Sequence, residues 1–188
     1  MAMSVQNDQH NVILRCISDA LRKVNDQEIK QAINLIASAR LVSVYGCGRE
    51  GLQIRGFAMR LFHLGRSASV VGEMVTPAVG PGDLLIVAAG PGDLSTAFAL
   101  LEVARGAGAK VLCITAQPNG RVPRASDAVL TIPAQTMADD RGPDVAPLPM
   151  GSVFEGALFV LFEAMILNLK AKLQVSDEAM RTNHTNLE

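Results

Sequence analysis

Between Leu41 and Ile132, short β-prone runs alternate with helical stretches, and this alternation leaves the chain very few folds to choose from. The runs are Leu41 to Tyr45, Ala68 to Val71, Leu84 to Ala88, Lys110 to Thr115 and Ala128 to Ile132; helical periodicity fills Leu52 to Leu64 and Leu94 to Ala107. Short apolar runs of this kind fit strands buried on both faces, and βα units of this length imply a parallel sheet with helices on either side. The expectation is an α/β three-layer sandwich with a five-stranded parallel sheet flanked by helices. Ligands of such open sheets sit beyond the carboxyl ends of the strands, so chemistry is to be sought in the loops after Tyr45, Ala89 and Thr115.

The flanking segments are helical. Apolar residues recur every three to four positions from Asn11 to Ala39, and Asn25 followed by Glu28 has capping-box spacing, so two helices are expected there. Pro133 to Gly151 carries prolines at 133, 143, 147 and 149 and reads as a long irregular loop, a type that is often functional. Ser152 to Leu173 is an apolar helix, but Glu155, Glu163, Asn168 and Lys170 interrupt it, which argues against a membrane span. It is expected to be buried on nearly every side, against the sheet and against a second subunit. Ser176 then opens a short terminal helix. The organisation expected is one domain over 1–188: helices over 1–39, sheet and crossover helices over 40–151, and C-terminal helices and tail over 152–188.

Composition narrows the function. A chain of 188 residues that is 49% hydrophobic and 19% charged can bury one substantial core. Its formal net charge of -1 gives no footprint for nucleic acid or an anionic membrane. The polar start from Met1 to His10 lacks the apolar segment of a secretory signal, so a cytoplasmic location is expected. Cys16, Cys47 and Cys113 are too scattered for a disulfide framework or a zinc site, and no metal is expected.

Two strand-to-helix turns carry the chemistry. Gly46-Cys47-Gly48-Arg49-Glu50-Gly51 is a G-x-G-x-x-G, which lets a ligand approach backbone N–H groups at a helix start. Alone it fits a dinucleotide fold, with Glu73 after the second strand as the acid that would hold a ribose hydroxyl. The second turn, Ala89-Gly90-Pro91-Gly92-Asp93-Leu94-Ser95-Thr96, brings another helix start to the same cleft, an arrangement suited to a small polar ligand. A plain tight turn with Asp93 as helix N-cap is the competing reading. Ser152 and Glu155 are likewise open to two readings, since S-x-x-E at a helix start is a capping box and a first-turn glutamate at a cleft can also do chemistry.

Val44 to Gly51 followed by Phe57-Ala58-Met59-Arg60-Leu61-Phe62-His63-Leu64-Gly65 resembles the first βα unit of the 6-phospho-3-hexuloisomerases, within the sugar isomerase (SIS) family. Val71 to Ala78, Pro149 to Glu155 and the ending His184-Thr185-Asn186-Leu187-Glu188 share the likeness, which runs from about Ile33 to the C-terminus. The resemblance implies a sugar isomerase that moves a carbonyl by an enediol route without metal or organic cofactor. It also implies that Glu155 and His184 are the acid/base pair, and that the histidine is supplied across a subunit boundary. The assembly would then be a homo-oligomer, a dimer or tetramer with shared active sites. Enediol chemistry needs such a pair, one group for the carbon-bound proton and one to shuttle protons between oxygens or open the ring.

The sequence departs from the family at the phosphate grip. Family members hold phosphate with hydroxyls on these turns, whereas here the first-turn serine position is Glu50 and the second turn has Ala89, Pro91 and Leu94. A carboxylate about 4 Å from a phosphate would repel it by roughly 1 to 4 kcal/mol. Gly46, Gly48, Arg49, Gly90, Gly92, Ser95 and Thr96 remain as donors to a ligand, with Glu50 and Asp93 as acceptors. The ligand expected is a small sugar or sugar phosphate, and a sugar lacking the phosphate fits the altered turns better. A non-catalytic sugar-sensing module of the same fold is the alternative function.

Overall fold

A computed structural model describes residues 2–140 and 148–187 of the chain. Two helices, α1 (Ala2–Leu21) and α2 (Asp26–Ser38), precede a core of β1 (Val42–Gly46), α3 (Gly48–His63), β2 (Ala68–Val70), β3 (Leu84–Ala88), α4 (Ser95–Gly106), β4 (Lys110–Thr115), α5 (Arg121–Ala125) and β5 (Ala128–Thr131). The chain continues into α6 (Ser152–Leu173) and α7 (Asp177–Thr182). All five strands are parallel, in the order β2-β1-β3-β4-β5.

Side-chain alternation along the strands divides the core into two layers. Val42, Val44, Ile86, Leu112, Ile114 and Leu130 pack against α2, α3 and α6 on one face. Leu85, Val87, Val111 and Cys113 pack against Ala97, Leu101 and Ala104 of α4 and Val122 of α5 on the other. Removing this apolar area from water is the main stabilising term of the three-layer sandwich. Stacked Phe57 and Phe162 rings, 4.4 Å apart, and a forked Arg60–Glu163 ion pair dock α3 on α6.

The structure refines these expectations. Asn25 does cap α2 by accepting the Gln27 N–H, but Glu28 does not complete a capping box, because its carboxylate accepts the Thr131 N–H of β5 instead. Helix α6 sends Val153, Phe154, Leu158, Met165 and Leu169 into the core, while Phe159, Val160 and Leu167 are exposed in a single subunit, on the part of the helix expected to meet a second one. Helix α5 was not foreseen, since five residues around Pro123 carry no helical period. The Pro133–Gly151 loop contains no helix or strand over 133–140, where Asp139 accepts hydrogen bonds from Thr136 N–H and Oγ1; Pro143 and Pro147 lie outside the described residues.

Candidate active site

The strand order creates the cleft. Chain path reverses between β1 and β3, and their register pairs Gly46 with Ala88, so the turn after each strand emerges beside the other. The first turn is tight for a steric reason: a Cβ on Gly51 would stand 2.6 Å from the Gly46 carbonyl oxygen, so the start of α3 lies almost against the strand end. This closeness aims residue 50 at the neighbouring turn.

Glu50 bridges the two turns. Its Oε2 accepts the Gly90 N–H at 2.9 Å, and a Cβ on Gly90 would meet Glu50 Oε1 at 2.6 Å and the Phe154 ring at 2.8 Å. One backbone donor of the second turn, the Gly90 N–H, is therefore taken by the protein's own carboxyl group. Burial pushes the Glu50 pKa up to about 7; the Gly90 N–H works against the shift and the nearby Glu155 charge adds to it.

Glu155 lies in the first turn of α6, across the same cavity from the second turn. Its carboxylate accepts from Arg49 Nε at 2.8 Å, and the Arg49 fork also donates to Ser152 Oγ at 3.0 Å and Met150 O at 2.6 Å. Burial raises the Glu155 pKa, with the Arg49 charge and hydrogen bond opposing it. The capping-box reading fails here: Gly151, in the left-handed region at φ 78°, is the N-cap, and Ser152 Oγ donates to Pro149 O. Glu155 is thereby left for Arg49 and the cavity.

The cavity holds about 330 Å³. Gly48, Arg49, Glu50 and Glu155 line it together with Cys47, Pro91, Leu94, Met137, Met150 and Phe154. Gly46 and Gly90 set its geometry without lining it. Gly92 is turned toward Gln117, and Asp93 pairs with Arg121 at 3.0 Å, whose guanidinium lies over Phe98. Asp93 is not the N-cap of α4 either; that position is Leu94, with no side-chain cap. Ser95 and Thr96 form the first turn of α4 and do not line the cavity, and Thr96 lies beside the Tyr45 phenol. Glu73, the acid of the dinucleotide reading, is exposed in the turn after β2 and does not line the cavity.

His184 is elsewhere in the subunit. Its ring stacks on buried His63 at 5.0 Å, in a separate, open hollow lined by Met59, Arg60, Asp177, Met180 and Arg181. The Asn183 amide fixes the tail there by donating to the His63 carbonyl. One subunit therefore does not bring His184 to Glu155. Among the described residues no cluster of histidine, cysteine or acidic side chains is arranged to hold a metal ion.

Sequence reasoning missed the apolar wall of Met137, Met150 and Phe154. Two signals pointed to it: the Pro-rich loop that carries Met137 and the Pro149 to Glu155 segment that carries the other two.

Comparison with known proteins yields a consistent set of relatives. Residues 35–148 match the SIS domain family. The 3-hexulose-6-phosphate isomerase of Mycobacterium gastri is 37% identical over 92% of this chain and 86% of its own length. That of Bacillus subtilis is 32% identical over 94% and 95%. A solved Methanococcus jannaschii structure, described as inferring the function of a 3-hexulose-6-phosphate isomerase, superposes with a TM-score of 0.83. It is 26% identical, covering 96% of this chain and 99% of that one.

Proposed function

The chain belongs to the SIS domain family, and from that premise we propose that it is a sugar isomerase whose substrate places no phosphate between the two glycine turns. The enzyme class follows the 3-hexulose-6-phosphate isomerases it resembles over most of its length. The substrate reading rests on one observation, the Gly90 N–H held by Glu50. A phosphate would need that donor and would meet a carboxyl group in its place. Arg49, a cation that lines the cavity, is already bonded to Glu155 and to the start of α6. What remains is a cavity with an apolar wall and two carboxyl groups, matched to the carbons and hydroxyls of an uncharged keto sugar.

Glu155 is the group that takes the proton from the carbon beside the carbonyl, since it is the cavity carboxylate with a cation beside it. His184 serves a cavity of this kind only from a second copy of the chain, where it opens the ring of cyclic substrates. The tail hollow borders Met59 of α3, which is exposed together with Phe62 on the same helix, so the tail lies beside an apolar surface fit for that second copy.

Incubation in deuterated water with 3-hexulose, fructose and their 6-phosphates, followed by NMR, tests the reading. Deuterium is expected at the carbon next to the carbonyl of a free ketose and not of its phosphate. Faster exchange on the phosphate would overturn the substrate reading, and no exchange on any sugar would overturn the isomerase reading. The Glu50→Ser variant is expected to bind 6-phosphates at least about ten-fold more tightly, the equivalent of about 1.4 kcal/mol.

A further inference from the structure

We propose that Glu50 is the second catalytic group of this site, the acid that protonates the substrate carbonyl oxygen while Glu155 takes the carbon-bound proton. The inference rests on the isomerase reading and deepens it. Three geometric facts point to Glu50. It lines the same cavity as Glu155, within electrostatic reach of it. One of its oxygens is fixed by the Gly90 N–H, so its carboxyl plane is oriented by the sheet rather than by solvent. And the two glutamates have opposite company: Glu155 has the Arg49 guanidinium at 2.8 Å, which favours the charged form, whereas Glu50 has a buried setting and a neighbouring negative charge, which favour the protonated form. Carboxyl groups in one cavity whose surroundings favour different protonation states divide naturally into base and acid.

The step balances within one subunit. The Glu155 carboxylate removes the proton from the carbon adjacent to the carbonyl as the Glu50 carboxylic acid gives its proton to the carbonyl oxygen, forming the enediol. The Glu50 carboxylate then takes the proton of the other enediol hydroxyl, whose carbon becomes the new carbonyl. Glu155 returns its proton to the former carbonyl carbon. Both glutamates end as they began, and no oxidant, metal or co-reactant is consumed. A serine at position 50 has no proton of suitable acidity, so the replacement that weakens phosphate binding is the same one that supplies the acid.

The test compares wild type with Glu50→Gln, which keeps a carbonyl oxygen for the Gly90 N–H but carries no transferable proton. On the sugar the wild type isomerises, Glu50→Gln should lower kcat about 10²- to 10⁴-fold while KM stays within a few-fold. Wild-type kcat should fall as pH rises through about 7, the range in which Glu50 gives up its proton, and residual Glu50→Gln activity should lose that limb. Glu50→Asp should recover part of the rate, and thermal unfolding should show each variant folded. A Glu50→Gln enzyme with wild-type kcat, or a wild type with no decline above pH 7, overturns the role of Glu50 while the isomerase reading stands. A wild type inactive on every sugar removes both.

Discussion

Glu50 is legible in the sequence only as a misfit, an acid where the family resemblance implies a serine; its partner was not legible at all. The structure gives it a backbone N–H forty positions away, because contacts between adjacent turns depend on sheet register rather than on sequence distance. The burial that results has a consequence for stability. The folded protein holds the Glu50 proton to about pH 7, against an ordinary glutamate value of 4.5, so the folded state binds more proton than the unfolded chain across that window. Stability should therefore be highest near and below pH 4.5 so far as this group is concerned, and decline as pH rises through 7, by at most about 3 kcal/mol. Melting temperatures measured from pH 5 to 8.5 should show the decline in wild type and a flatter profile in Glu50→Gln. Equal slopes in the two proteins would mean that Glu50 titrates normally. Cys113 illustrates the opposite case: burial pushes its thiol up to about 12, which makes it an inert core residue, as its isolated position in the sequence suggests.

The elements were the most legible level, and the reasons differ from one to the next. Leu84–Ala88 and Lys110–Thr115 form strands over the expected ranges because both faces of the central strands are covered, so continuous apolar runs mark them fully. The edge strand β2 is only three residues long, shorter than its apolar run, since just one neighbour fixes it. Helix ends were harder. Ser152 and Glu155 have capping-box spacing, but a left-handed Gly151 takes the cap position, and the α6 terminus is secured from outside by Arg49 of α3. One guanidinium thus ties two helix starts and the Glu155 carboxylate together, a task that depends on its planar fork. Arg49→Lys keeps the charge but cannot reach all three acceptors, so chemical denaturation should show a loss of about 1–2 kcal/mol. Turnover should fall by more than binding, because Glu155 would no longer be aimed. A variant with unchanged stability and kcat would show that the clamp is incidental.

At the scale of the whole molecule, one subunit builds a cleft between its two glycine turns but keeps its tail histidine away from it. His184 rests on His63 while Glu155 faces the cavity, and exposed Phe159, Val160 and Leu167 on α6, with Met59 and Phe62 on α3, leave apolar surface that a second copy can cover. Under the proposed function two kinds of site can be told apart: one complete within a subunit through Glu50 and Glu155, and one that also needs a neighbour's His184 to open cyclic sugars. Complementation distinguishes them. Glu155→Gln and His184→Ala, each purified and slow on a ring-forming ketose, should regain activity when mixed and allowed to exchange subunits, because a mixed dimer restores one site with both groups intact. Random exchange in a dimer predicts about a quarter of the wild-type rate. His184→Ala alone should remain active on an open-chain ketose, where no ring has to be opened. If the mixture stays as slow as its components although subunits demonstrably exchange, His184 serves its own chain and not a neighbour's cleft, and the shared site is overturned.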